Sequence, residues 1–248
     1  KIITDAFFNS VGGKDQFDEV SILLDRTDKE NPSSNEEAMA SLRVSVKSKN
    51  ADLVGKMFSA KMIELALANY PGFFIGGAVR SGGPVLVYWP ALIDSKHISE
   101  TVHFDGKETT ILPTNQLGLE ETYYQKQPID IQPAPSDPSI KMPLGELFGA
   151  RSGDKGGCAN IGVWAKTENA YSFLNECLTV TQIKELMPDL AEFQIDRYEL
   201  PNILSLNFYI HGILEDGVSS NTRKDGQAKS LGEYLSLIHI SEPTRRRG

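Results

Sequence analysis

The sequence predicts an α+β protein of two domains, with α/β character in the N-terminal part and a small two-layer sandwich in the second. Three observations carry this prediction. Strand-like alternation near the start is followed by a helical repeat, a proline-rich stretch divides the chain, and a second set of strand patterns surrounds one helical stretch.

In the first part, "ASLRVSVKS" puts Leu42, Val44 and Val46 on one face of a half-buried strand. Val20, Ile22 and Leu24 repeat that alternation upstream. Asn50 is placed to cap a helix running to about Asn69, with Val54, Met57, Phe58, Met62 and Leu65 at helical spacing. Pro71 and Gly72 end it, and "PVLVYWP" reads as a further strand. The helix then covers one face of a sheet.

From about Asp105 to Pro143 the pattern fades. "QPIDIQPAPSDPSIKMP" holds five of the thirteen prolines, a composition that favours an extended linker. The inner stretch "LGLEETYYQ" has room for one helical turn. The expected boundaries are therefore residues 1–105, a linker over 106–141, and a second domain over 142–235.

In that second domain "PLGELFGA" and "ANIGVWAK" are strand candidates on either side of a glycine-rich turn, "RSGDKGG". A helical segment covers roughly Asn169 to Met187, with a break near Thr179. "EFQIDRYEL" and "ILSLNFYIHGIL" are two more strands, parted by Pro201 and Asn202, and "KSLGEYL" closes with a short helix. Four strands with helices on one face make a ferredoxin-like two-layer sandwich.

Residues 236–248 are expected to be foreign. "LSLIHISEPTR" resembles translated transposon-end adapter DNA, so the tail is expected to make no core contacts, and His239 is no catalytic candidate. Without it, 22 basic and 32 acidic residues leave a net charge of −10, against −8 for the full 248-residue chain. The start without an initiator Met is expected to mark an N-terminally truncated fragment.

Composition narrows the function. Excess negative charge opposes nucleic-acid binding, which needs clustered Lys and Arg. No apolar run approaches the roughly 20 residues that span a bilayer. The first residues lack the regions of a secretory signal. Cys158 and Cys177 match no metal or redox spacing and are expected to be buried reduced thiols, which suits the cytoplasm. His97 and His103 have no metal-ligand pattern, so no metal is expected.

The stretches "ARSGDKGGCANIGVWA", "RYELPNILSLNFYIHGIL" and "DGQAKSLGEYL" resemble the C-terminal ferredoxin-like domain of acyclic terpene utilisation (AtuA) proteins. The first hundred residues resemble the end of that family's larger N-terminal domain. The resemblance implies a role in catabolism of acyclic terpenes or related branched acyl-CoA compounds, with no catalytic residue carried over.

Candidate residues follow from their chemistry. Gly153, Gly156 and Gly157 permit a backbone nest for an anion, with Arg151 or Lys155 adding charge for a CoA phosphate or a carboxylate. The same stretch also reads as a hairpin turn in which Asp154 caps its own backbone. Asn207 interrupts an apolar strand, and a buried amide without a partner costs roughly 1–3 kcal/mol. Asn160 is placed to meet it across the sheet end, either bracing the turn or binding ligand. His211 becomes a general base only with a partner in hydrogen-bond reach. The weak catalytic candidates are Asp154, Lys155 and His211.

"GFFIGGAVRSGGP", with Gly76, Gly77, Gly82 and Gly83 around Arg80, is either a ligand-wrapping loop or a plain connection. Phe73, Phe74, Tyr88 and Trp89 are expected in core or interdomain packing. Two function classes remain: a hydratase or lyase-type acyl-CoA enzyme, or a non-catalytic subunit that docks a partner acyl-CoA enzyme. No cofactor is implied beyond the CoA of a substrate. The expected partners are an acyl-CoA or terpenoid acid and another subunit, identical or different.

Overall fold

The computed structural model describes residues 2–67, 72–77, 81–111 and 139–243. The chain divides into two compact units, Lys1–Val85 and Leu86–Gly248. Residues 86–105, placed in the first domain by the sequence pattern, thus cluster with the second unit.

The first unit opens with helix α1 (Ile2–Ser10), which the sequence pattern does not predict. Strands β1 (Glu19–Asp25) and β2 (Ser41–Lys47) pair antiparallel, with Val20 opposite Val46 and Ile22 opposite Val44. Leu24 and Leu42 share that register but lie at the exposed end. Asn50 Oδ1 accepts the Asp52 N–H at 3.1 Å, as a helix start requires. The helix then runs over residues 51–67, kinked at Gly55, and its regular part is α2 (Phe58–Leu67). Phe7, Phe8, Val11, Phe17 and Leu53 form the core, and α1 supplies its two most deeply buried rings.

The stretch "PVLVYWP", at the chain boundary of the two units, carries no strand ladder. A run of β-prone residues becomes a strand only when a neighbour completes its hydrogen bonds, and none does so here among the described residues. Strands β3 (Glu100–Phe104) and β4 (Lys107–Ile111) form a hairpin across the start of the stretch where the pattern fades. Its turn is Asp105-Gly106, with φ of 48° and 70°, the positive pair that the favoured two-residue hairpin turn needs. The proline-rich segment as far as Pro138, and "LGLEETYYQ", fall within residues 112–138, outside the described residues. Strand β5 (Ser139–Pro143) follows.

The "PLGELFGA" strand is corrected: its middle is a helical turn, α3 (Leu144–Leu147), and the strand is the glycine-rich stretch itself, β6 (Gly149–Lys155). Next come β7 (Cys158–Trp164), α4 (Glu168–Cys177) and α5 (Val180–Leu186). Then follow β8 (Ile195–Leu200), β9 (Ser205–Ile210), α6 (Leu231–Leu237) and β10 (His239–Pro243). Thr179 ends the α4 region and caps α5, its hydroxyl accepting the Gln182 N–H at 3.1 Å, so the predicted break has a mechanism.

The sheet order is β6-β7-β9-β8, antiparallel throughout. β7, the α4–α5 pair and β8 make a split β-α-β unit, with β9 slotted between the two strands. β6 fills the remaining edge from the N-terminal side. α6 lies on it, with the Gly232 N–H donating to Ser152 Oγ at 2.9 Å.

Alternation decides the faces. Ala159, Ile161, Val163, Leu206, Phe208 and Ile210 point at the helices and are fully buried. Each of these apart from Ala159 contributes roughly 1.5–3 kcal/mol. Arg197 on β8 also faces the helices, where its guanidinium satisfies the Leu178 and Asn175 carbonyls at 3.1 and 2.8 Å.

The tail departs from expectation. α6 continues to Leu237, β10 pairs with β5, and Ile238 and Ile240 pack against the core. The physical reason is that Leu235, Ile238 and Ile240 extend the apolar pattern, and β5 offers an edge to pair with. No helix among the described residues is long and apolar enough to cross a membrane.

The larger core draws all its residues from 144–240. Residues 139–243 expressed alone are therefore expected to unfold in one cooperative transition, measured by circular dichroism in urea. A gradual, non-cooperative loss of signal would contradict this.

Candidate functional site

The hairpin between β6 and β7 has a two-residue loop, Gly156-Gly157, because Lys155 pairs with Cys158. Gly156 has φ of 67°, in the left-handed region. A Cβ on Gly157 would sit 2.1 Å from the Glu215 carbonyl oxygen, and Gly157 in turn accepts the Leu214 N–H at 2.9 Å. Both glycines are thus demanded, one by backbone conformation and the other by close approach.

That turn sets the register of the helix-free face, which reads as rows across the sheet. Lys155 and Cys158 begin the row at the turn, and one rung past the last β7–β9 pair the same row reaches His211. Gly153, Asn160, Tyr209 and Asp196 form the next. Arg151, Gly162, Asn207 and Tyr198 form the third, and Gly149, Trp164, Ser205 and Leu200 the fourth. Six of the sequence candidates, Arg151, Gly153, Lys155, Asn160, Asn207 and His211, therefore share one face. Asp154 does not: it pairs with Ala159 on the helix side.

The polar groups on this face are paired. Asn160 Nδ2 donates to Asn207 Oδ1 at 2.8 Å, which satisfies the amide that interrupts the apolar strand. His211 Nε2 lies 2.7 Å from Asp196 Oδ2, and the Tyr209 ring stands edge-on to the imidazole at 4.9 Å. The hydrogen bond from His211 holds the Asp196 carboxyl below its usual range. A depressed folded value means that this pair's stabilisation is full above the unfolded pKa of about 3.9 and is lost as pH falls through the folded one.

Cys158 is half-exposed rather than buried, because its parity points it away from the core. Its sulfur accepts the Gly212 N–H at 3.4 Å and is hydrogen-bonded by Tyr209. That bond, with burial, raises the Tyr209 phenol above its ordinary range. Cys177 is also only partly buried, yet burial pushes its thiol up to about 11.

The cations lie at the β6 edge. Lys155 is exposed, with its ammonium donating to the Asp154 carbonyl at 2.9 Å. Arg151, also exposed, stands 3.7 Å from Glu233. Lys229 approaches Asp154 to 3.8 Å. A separate cleft of about 240 Å³ beside the turn is lined by Tyr88, Asp154, Gly156, Asp216 and neighbouring residues, with no Lys or Arg among its lining.

Tyr88 lies across Gly156, and its N–H donates to the Asp216 carbonyl at 2.9 Å. Core packing for the aromatics is thus corrected: Phe74, Tyr88 and Trp89 are exposed. Among the described residues, their stretches have no sheet partner to turn one face inward. In the other glycine loop, the Gly82 N–H donates to the Val54 carbonyl at 3.1 Å, and Arg80 lies outside the described residues.

Sequence reasoning missed Asp196, Tyr209 and Cys158. The available signal was parity: Asn207, Tyr209 and His211 alternate along one strand, and Asp196 and Tyr198 along its neighbour.

A family model for the AtuA acyclic terpene utilisation proteins matches residues 1–104, and a model for the AtuA ferredoxin-like domain matches residues 142–241. No curated protein and no solved structure matches the chain.

Gly157→Ala is expected to destabilise the chain by about 2 kcal/mol or more, because the Glu215 backbone must move to admit a methyl group. Urea unfolding measures it, and a change within about 0.5 kcal/mol would contradict the close approach.

Proposed function

Because the chain belongs to the acyclic terpene utilisation family, a family implicated in the use of acyclic terpenes, we propose that its ferredoxin-like domain binds a terpenoid acid or branched acyl-CoA on the helix-free face. There it serves a hydratase or lyase-type step in the cytoplasm. The observation that carries this reading is the His211–Asp196 contact of 2.7 Å, on the same face as Arg151 and Lys155.

The roles follow from position. Arg151 and Lys155 are exposed cations able to meet a carboxylate or a CoA phosphate. Trp164, Tyr198 and Leu200, at 38%, 51% and 41% exposure, offer apolar surface to a branched chain at the far end of the face. His211 takes up and returns the proton of a water or of a substrate carbon. Asp196 orients the imidazole. The Asn160–Asn207 bond holds β7 and β9 in register between the two ends.

The same three exposed side chains favour a second reading, in which the face docks a partner acyl-CoA enzyme without doing chemistry.

A panel of branched acyl-CoA thioesters assayed with the full chain separates the two readings. His211→Gln is expected to lower kcat by about 10²–10⁴-fold with little change in melting temperature. Turnover by His211→Gln at the parent rate would contradict the acid–base reading. Loss of partner capture on Trp164→Ala, with no turnover by the parent, would establish the docking one.

A further inference from the structure

The glycines of β6, β7 and their turn have uses inside the chain, with one exception. Gly149 lies under the Trp164 indole, where a Cβ would come within 2.1 Å of the ring. A Cβ on Gly153 would meet the Lys229 ammonium at 3.0 Å, and Gly156 and Gly157 make the turn. Gly162 is the exception. It does not take a positive φ. Among the described residues, a Cβ built on it would meet nothing closer than the Arg151 carbonyl oxygen at 3.9 Å. A glycine inside a strand weakens it, and one that neither backbone conformation nor a neighbouring atom demands marks room for close approach from outside.

The surroundings of that space have a definite chemistry. Gly162 sits in the row Arg151, Gly162, Asn207, Tyr198 on the helix-free face. Two residues before it, Asn160 is tied to Asn207 at 2.8 Å, so the two amides satisfy each other. Two residues after it, the Trp164 ring is laid over Gly149 on β6 and leaves Gly162 uncovered. Tyr198 stands exposed at the far end of the row. At the near end the Arg151 side chain is 80% exposed, with Glu233 3.7 Å away, a surface pair that a second anion can displace. An open hollow between aromatic rings, with a cation at the sheet edge, suits an amphiphile that is anionic at one end and apolar at the other.

We propose that Gly162 sets specificity at this face: its missing side chain leaves a recess for the branch methyl of an acyl chain that crosses β7, with the anionic part of the ligand toward Arg151. This rests on the acyl-CoA reading above. A linear chain leaves the recess empty and forgoes the burial of one methyl group, whereas a side chain at position 162 fills the recess itself.

Two thioesters of equal main-chain length, 3-methylbutanoyl-CoA and butanoyl-CoA, are titrated into the full chain by calorimetry. The parent is expected to bind the branched one about fourfold more tightly, as one buried methyl group implies. Gly162→Ala is expected to abolish that preference, and Gly162→Val to weaken binding of the branched thioester by about tenfold. Arg151→Gln is expected to weaken both thioesters alike and leave their ratio unchanged. Equal binding of the two by the parent, or an undiminished preference in Gly162→Val, would overturn the recess while the acyl-CoA reading stands. If the parent binds neither thioester, the recess falls together with that reading.

Thermal unfolding supplies the second measurement. Because a Cβ has room, Gly162→Ala is expected to leave the melting temperature unchanged or to raise it by about 1–4 °C. A fall of more than about 2 °C would show that the space is already filled from within the chain, which also overturns the proposal.

Discussion

The two-residue turn at Gly156-Gly157 is the constraint on which the rest of the second unit depends. A side chain has no room at Gly157 because the Glu215 carbonyl closes over it, and Gly156 takes a left-handed φ that few residues accept. With the loop length fixed at two, Lys155 must face Cys158, and every later pair along β6 and β7 follows. Strand parity then does the sorting. Residues of one parity build the core beneath α4, α5 and α6, and residues of the other are presented on the helix-free face. A slip of one residue would exchange the two sets, burying Asn160 and exposing Ile161.

The polar groups on that face are stable there because each finds a partner without leaving water entirely. Asn160 and Asn207 satisfy each other, while Asp196 and His211 pair at the strand ends, both side chains still more than a third exposed. In such an exposed setting the contact adds little to stability. Its use lies in orienting the imidazole. The core is secured separately, by apolar layers that the face residues do not enter. This separation lets the face change chemistry without unfolding the domain, a general property of sites carried on rigid scaffolds.

Much of the fold was legible from local pattern. The alternation in "ASLRVSVKS", the Asn50 cap, the break at Thr179 and three of the four strands of the second domain all rest on rules that act within a few residues. What local pattern could not supply was pairing over distance. Helix α1 was missed because its stabilisation comes from Phe7 and Phe8 packing against remote residues, not from a capping signal. The glycine stretch was read as a turn flanked by strands because three glycines and three charges mask a strand whose side chains need only alternate.

The site was half legible for the same reason. Arg151, Lys155, Asn160, Asn207 and His211 stood out as polar or charged residues in strand-like stretches, yet only the register shows that they share a face. Asp196 was not singled out, and Cys158 was expected to be a buried thiol, until pairing placed both on that face. The account therefore stands on that register, and cross-strand nuclear Overhauser effects in the isotopically labelled full chain test it most directly. Contacts from Cys158 to both Lys155 and His211 are predicted. Contacts from Cys158 to core residues such as Phe208 would contradict the account, because they would place the thiol on the opposite face.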